Sequence, residues 1–234
     1  MIDLRFAVAA SFAGILAAGC ASAPPETPAA PNPFESAIVA FEQSDAAQRP
    51  TRCATLFVGS SSIRFWSSLA QDFPERRVIN RGFGGSTISD VNHFFSRVAA
   101  PYSPREIVFY AGENDLNAGK SPEAVFADFK TFMDLKKKAL GDTPVWFISA
   151  KPSKLRLAQL PAQTRLNDMV AELARTRKDL AYIDVVNVMM TPEGAPKDIF
   201  VADDLHMTPA GYALWTPVVK AALEAGQEGK ARGC

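Results

Sequence analysis

The sequence predicts an α/β fold, a three-layer α/β/α sandwich whose central sheet has five parallel strands. Three observations carry this. Five short apolar runs, at residues 54–58, 77–80, 106–110, 145–149 and 180–185, place Val, Ile and Phe on both faces, as strands covered on both sides do. Stretches of helical period separate them, and such β-α-β alternation builds a parallel sheet through right-handed crossovers. The 234 residues, 47% hydrophobic and 21% charged, suit one well-buried domain and argue against a mainly disordered chain.

In chain order, residues 1–20 read as a secretory signal. Arg5 precedes a short apolar run, residues 6–16, too short to span a bilayer. The small residues Ala17-Ala18-Gly19 then lead to Cys20. The run Leu16-Ala17-Ala18-Gly19-Cys20 resembles a bacterial lipobox, which implies lipidation of Cys20 as the mature N-terminus. With Ala21 rather than Asp after it, the resemblance implies the periplasmic face of the outer membrane. The alternative is an ordinary signal cut nearby, giving a soluble periplasmic protein in which Cys20 is incidental.

Residues 21–33 hold five prolines among Ala, Ser and Thr, an extended spacer that cannot bury a core. The folded domain is expected over 34–234. Phe34, Ile38, Val39 and Phe41 suggest a short docking helix, with packing as its plain role and a lid as the alternative. Ile88, Val91, Phe94, Phe95 and Val98 share one helical face after Ser86-Thr87. Ser121-Pro122 starts a helix running to about Leu140, residues 163–176 form another, and Thr208-Pro209 starts the last.

Charge and composition exclude several classes. Lys+Arg and Asp+Glu are 25 each, so the footprint of a nucleic-acid binder is missing. Three cysteines are too few for a disulfide scaffold. With His93 and His206 the only histidines, no histidine-rich metal site is expected, and no metal or cofactor.

Ligands of such sheets bind beyond the carboxyl ends of the strands. Four unusual segments fall there: Gly59-Ser60-Ser61-Ser62, Asn80-Arg81-Gly82-Phe83-Gly84-Gly85-Ser86, Gly112-Glu113-Asn114-Asp115, and Asp203-Asp204-Leu205-His206. Singly, each is ordinary turn chemistry. Together they supply a hydroxyl, a base to deprotonate it and a carboxylate to orient that base. They also supply oxyanion donors, the backbone of a glycine such as Gly85 and the Asn114 amide.

These four blocks, in this order, resemble those of the SGNH or GDSL-type hydrolases. The resemblance covers residues 56–206 and implies a flavodoxin-like fold. It assigns the nucleophile to Ser61, the oxyanion hole to Ser61, Gly85 and Asn114, and the acid and base to Asp203 and His206. The runs 57–59 and 80–87 look most like the branch of the platelet-activating-factor acetylhydrolase subunits and their bacterial relatives. That branch implies short-chain, acetyl-type acyl esters; an envelope location makes small-molecule, glycan or lipid esters accessible, the neutral charge leaves no nucleic-acid partner expected, and membrane contact is expected only through the N-terminal anchor. One departure stands out: Ser60 occupies the place of the family's usual Asp.

Asp204 is the alternative triad acid. Asp115 is expected to brace its loop, and His93 to be structural. Arg64, Trp66 and Lys151 follow strand ends and read as packing or surface charge, with lining of the pocket as the alternative. Cys53 and Cys234 either pair in an oxidising periplasm or stay free. The competing functions are a lysophospholipase or thioesterase of the same family, and a binding lipoprotein that keeps the fold without turnover.

Overall fold

The computed structural model describes Met1 and residues 32–226. The expectations for Cys20, Cys234, the signal and residues 21–31 lie outside the described residues. The chain divides between Asn32 and Pro33, and the fold is that of the unit beginning at Pro33. In order, its elements are α1 (Glu35–Ala47), β1 (Thr55–Gly59), α2 (Ser61–Arg64), α3 (Leu69–Asp72), β2 (Val78–Gly82), α4 (Ile88–His93), α5 (Phe95–Val98), β3 (Glu106–Tyr110), α6 (Glu113–Asn117), α7 (Pro122–Leu140), β4 (Val145–Ile148), α8 (Leu160–Thr176), β5 (Leu180–Ile183), α9 (Val186–Met189) and α10 (Pro209–Ala225). The five strands are parallel, in the order β2-β1-β3-β4-β5.

Alternation along each strand splits the interior into two cores. Leu56, Val58, Ile107, Phe109, Val145 and Phe147 face one layer, where Ile38, Ile88, Val98, Val125, Phe129 and Leu166 cover them. Phe57, Val108, Tyr110, Trp146 and Ile148 face the other, under Ile63, Leu69, Met189, Trp215 and Val219. Both faces are thus dry, which explains the continuous apolar runs in the sequence.

Helix starts follow local chemistry. The Ser121 hydroxyl accepts the Ala124 N–H at 3.2 Å, with Pro122 as the first residue of α7. Thr87 and Asp90 form a reciprocal capping box on α4. Thr208 precedes α10 as expected, but its hydroxyl donates to Ile199 O at 3.1 Å instead of capping the helix. The apolar face expected from Ile88 to Val98 is divided at Phe94. Phe94 N–H closes α4 on Asp90 O, and the N–H groups of Arg97 and Val98 return to Phe94 O to open α5.

This topology makes one crevice. β1 pairs with β2 on one side and β3 on the other, so the chain reverses direction across the sheet between them. The carboxyl ends of β1 and β3 flank that switch point. Gly59 lets them approach: its φ is +139°, and a Cβ there would sit 1.8 Å from Tyr110 O. Ser60 N–H then donates to the same carbonyl at 2.9 Å. At the opposite edge of the sheet, Cys53 precedes β1 with φ +67° and is half-buried.

Candidate active site

The site begins where β1 ends. Ser61 is the first residue of α2, so its N–H is among those a helix leaves unbonded. Its hydroxyl lies 3.0 Å from His206 Nε2. His206 Nδ1 lies 2.6 Å from Asp203 Oδ2. Since a carboxylate only accepts, Nδ1 carries the proton, and Nε2 is left to accept from Ser61. The structure therefore brings Ser61, His206 and Asp203 into one hydrogen-bonded chain.

The loop carrying acid and base is fixed by its own short contacts. Asp203 Oδ1 accepts the N–H groups of Leu205 and His206, both at 2.9 Å. Its modest burial acts to raise the pKa of Asp203. The hydrogen bonds from the His206 N–H, the imidazole and the Leu205 N–H outweigh this and hold it at about 2. Asp204, the alternative acid, sits at φ +54° and turns toward Lys154, 3.9 Å away. The Phe65 ring stands edge-on to the His206 imidazole at 4.9 Å.

The candidate oxyanion donors lie on the segments that follow β2 and β3. Gly85 has φ +83°, yet a Cβ there would meet only Phe34, at 3.9 Å. Glycine is required there by the backbone angle rather than by crowding. Asn114 lies in the first turn of α6, and its Nδ2 donates to Ser86 O at 3.0 Å. Ser86 is fully buried, and its hydroxyl reaches Gly59 O at 3.3 Å. One serine thus joins the first three blocks, a role the sequence does not announce.

Other residues take supporting places. Asp115 is fully buried, and both its oxygens accept Ile88 N–H, at 3.2 and 3.1 Å. His93 packs edge-on against Phe94 at 4.6 Å. Ser60, where the family usually has Asp, is buried, and its hydroxyl has no hydrogen-bond partner among the described residues. Trp66 belongs to the second core. Arg64 is exposed above Gly84, its Nη1 3.1 Å from where a Cβ would sit. Lys151 is not surface charge: it is buried, its Nζ 2.8 Å from Leu205 O.

Comparison with known proteins agrees with this geometry. The model of the GDSL-like Lipase/Acylhydrolase family matches residues 53–214. No curated protein matches by sequence. Among solved structures, a Streptococcus pneumonia protein provisionally described as a platelet activating factor superposes with a TM-score of 0.70 at 17% identity, covering 80% of this chain and 92% of that one. A GDSL-like lipase from Bacteroides thetaiotaomicron gives 0.69 at 20% identity, covering 80% and 97%. A carbohydrate esterase family 3 protein from Talaromyces cellulolyticus gives 0.60 at 11% identity, covering 77% and 100%.

Proposed function

The chain belongs to the GDSL-like lipase/acylhydrolase family, a class of ester hydrolases, and from that premise we propose that it is a serine esterase of short-chain, acetyl-type acyl esters. The observation that carries the catalytic part is the unbroken line from Ser61 Oγ through His206 to Asp203. Ser61 Oγ attacks the ester carbonyl while its proton passes to His206 Nε2. Asp203 stays ionised and steadies the imidazolium. The N–H groups of Ser61 and Gly85 and the Asn114 amide receive the oxyanion. Collapse returns the proton from His206 to the departing alcohol and leaves an acyl-serine. Water, deprotonated by His206, then attacks that acyl carbonyl and frees Ser61.

The short-acyl preference rests on the resemblance of residues 57–59 and 80–87 to the acetylhydrolase-like branch. The name of the carbohydrate esterase neighbour is in keeping with it. Hydrolysis of p-nitrophenyl esters from acetyl to long acyl chains, beside Ser61→Ala, tests both parts. Acetyl or butyryl turned over fastest, and lost in the variant, is the expected result. Activity surviving in Ser61→Ala removes the serine mechanism. A long-chain optimum replaces the acyl assignment with a lysophospholipase one. Silence in both proteins, without fluorophosphonate labelling of Ser61, favours a binding lipoprotein.

Export with lipid attachment at Cys20 is part of the same proposal and rests on the sequence of residues 1–20. Membrane fractionation of the full chain beside Cys20→Ala checks it. Release of the variant alone is expected, and an unchanged distribution rejects the anchor.

A further inference from the structure

One contact away from the segments that carry Asn114 and His206 lies a cluster of charged side chains that the steps above do not use. Glu113 is 4% exposed and Lys151 1%. One Glu113 oxygen accepts the Tyr110 hydroxyl. The other accepts Arg156 Nη1 at 3.0 Å. Lys151 Nζ stands 3.4 and 3.5 Å from the two oxygens. Buried charges persist only when paired, which accounts for the cohesion of the cluster but not for its position.

Two hydrogen bonds lead from the cluster to the hydrolytic site, while Lys151 Nζ also stands over the Phe200 ring, 5.7 Å from its centre. Arg156 Nη1 also donates to Asn114 Oδ1 at 2.9 Å. Lys151 Nζ donates to Leu205 O, on the turn between Asp203 and His206. The first contact matters for the orientation of the amide. A side-chain amide has one oxygen and two N–H groups. With Oδ1 held by the guanidinium, the nitrogen faces Ser86 O, which takes one N–H at 3.0 Å. The second N–H remains for the oxyanion. Turned by half a revolution, the same amide would present its oxygen to a negative charge. A cationic donor on Oδ1 also polarises the amide and strengthens its N–H donors.

We propose that Glu113, Lys151 and Arg156 form a positioning device for the esterase site, in which Arg156 sets the orientation of the Asn114 amide and Lys151 holds the loop of Asp203 and His206. This inference rests on the esterase reading. Glu113 joins the two halves, since its carboxylate holds both cations. None of the three touches the reacting atoms. Each acts through a neighbour, so removing one should lower turnover without weakening substrate binding.

A double-mutant cycle on the full chain tests the Arg156–Asn114 link, reading kcat and KM for p-nitrophenyl acetate and the rate of fluorophosphonate labelling. Asn114→Ala should lower kcat by about 100-fold, the usual effect of losing an oxyanion donor. Arg156→Met should lower it by about 10-fold or more with KM little changed. In the Asn114→Ala background, Arg156→Met should cost less than about 2-fold, because its effect passes through the missing amide. Arg156→Lys, which restores a cationic donor, should recover part of the loss. If Arg156→Met does not fold, the cycle is run with Arg156→Gln under the same criterion. Additive losses in the two backgrounds, or a change confined to KM, overturn the inference. Ser61→Ala keeps the two failures apart. Hydrolysis surviving in it defeats the esterase reading, whereas its loss beside an additive cycle defeats only the positioning role.

Discussion

Strand β3 has a buried glutamate at each end, and the two behave differently. Glu106 opens the strand and is 4% exposed. It accepts Thr55 Oγ1 at 2.7 Å, Arg76 Nη1 at 2.5 Å and Trp146 Nε1 at 3.1 Å. These donors sit on β1, just before β2 and on β4, so one carboxylate ties together the amino edge of the sheet. Glu113 follows the strand and is equally buried, but its partners hand contacts on to Asn114 and Leu205. The same chemistry therefore serves cohesion at one edge and orientation at the other. Burial and pairing do not distinguish the two roles; what lies one contact further on does.

The sharpest break between the edges should come from Asp203→Asn. The imidazole would lose the carboxylate that sets its tautomer, and kcat should fall by about 10⁴-fold with the melting temperature almost unchanged. Steady-state kinetics beside thermal unfolding checks this, and a loss under 10-fold would point to Asp204 as the acid.

The mirror-image result is expected from Glu106→Gln. It leaves the Arg76 guanidinium, only 5% exposed, beside a neutral amide. Glu75 remains 3.9 Å from that guanidinium, so the cost is that of a charge-assisted hydrogen bond, about 2 kcal/mol. Denaturant unfolding should register that loss, while kcat per labelled serine stays within about 2-fold of the parent. A drop in kcat instead would mean that the two edges communicate.

Asp115 gives the catalytic edge a pH response of its own. Burial pushes its pKa up from 3.8 to about 6, against the lowering effect of Ile88 N–H and Lys120. Folding thus favours the protonated acid. The stabilisation is complete below about pH 4 and is lost as pH rises through 6, a change of at most about 3 kcal/mol. Asp115→Asn should flatten that part of the stability–pH curve, as denaturant titrations between pH 4 and 7 would record. An unchanged slope assigns the titration to another group.

The smallest effect is expected at Gly85. Alanine has space there but not the backbone angle, so Gly85→Ala should cost about 1–2 kcal/mol of stability. It should also lower kcat by displacing an oxyanion N–H. A loss of stability without a loss of kcat would remove Gly85 from the oxyanion hole.

Much of this was legible in the sequence, for physical reasons that differ by element. The strands were visible because a sheet covered on both faces is apolar along most of each central strand. The candidate site residues stand out in the sequence because glycines and short polar side chains follow the strand ends at Gly59, Gly85 and Asn114. Arg156 was not visible: it lies beyond β4 in a segment with no recognisable block, and only folding sets it against Asn114. Lys151 looked like surface charge because a lone lysine usually is. Its burial depends on Glu113, many positions away, which the family pattern treats as variable. The break at Phe94 was hidden because both short helices turn the same face to the core.

Chain order has a practical consequence. The proposed nucleophile and oxyanion groups all lie at or before residue 114, and the proposed acid and base follow at 203 and 206. Between them, at Gly141 and Asp142, the chain makes an exposed turn joining α7 to β4. Severed there, each fragment would hold an incomplete set of reacting groups, and the β3–β4 seam would be the surface along which they rejoin. Turnover would then report an encounter, making the fold a natural template for a two-piece reporter in which neither piece gives a signal alone.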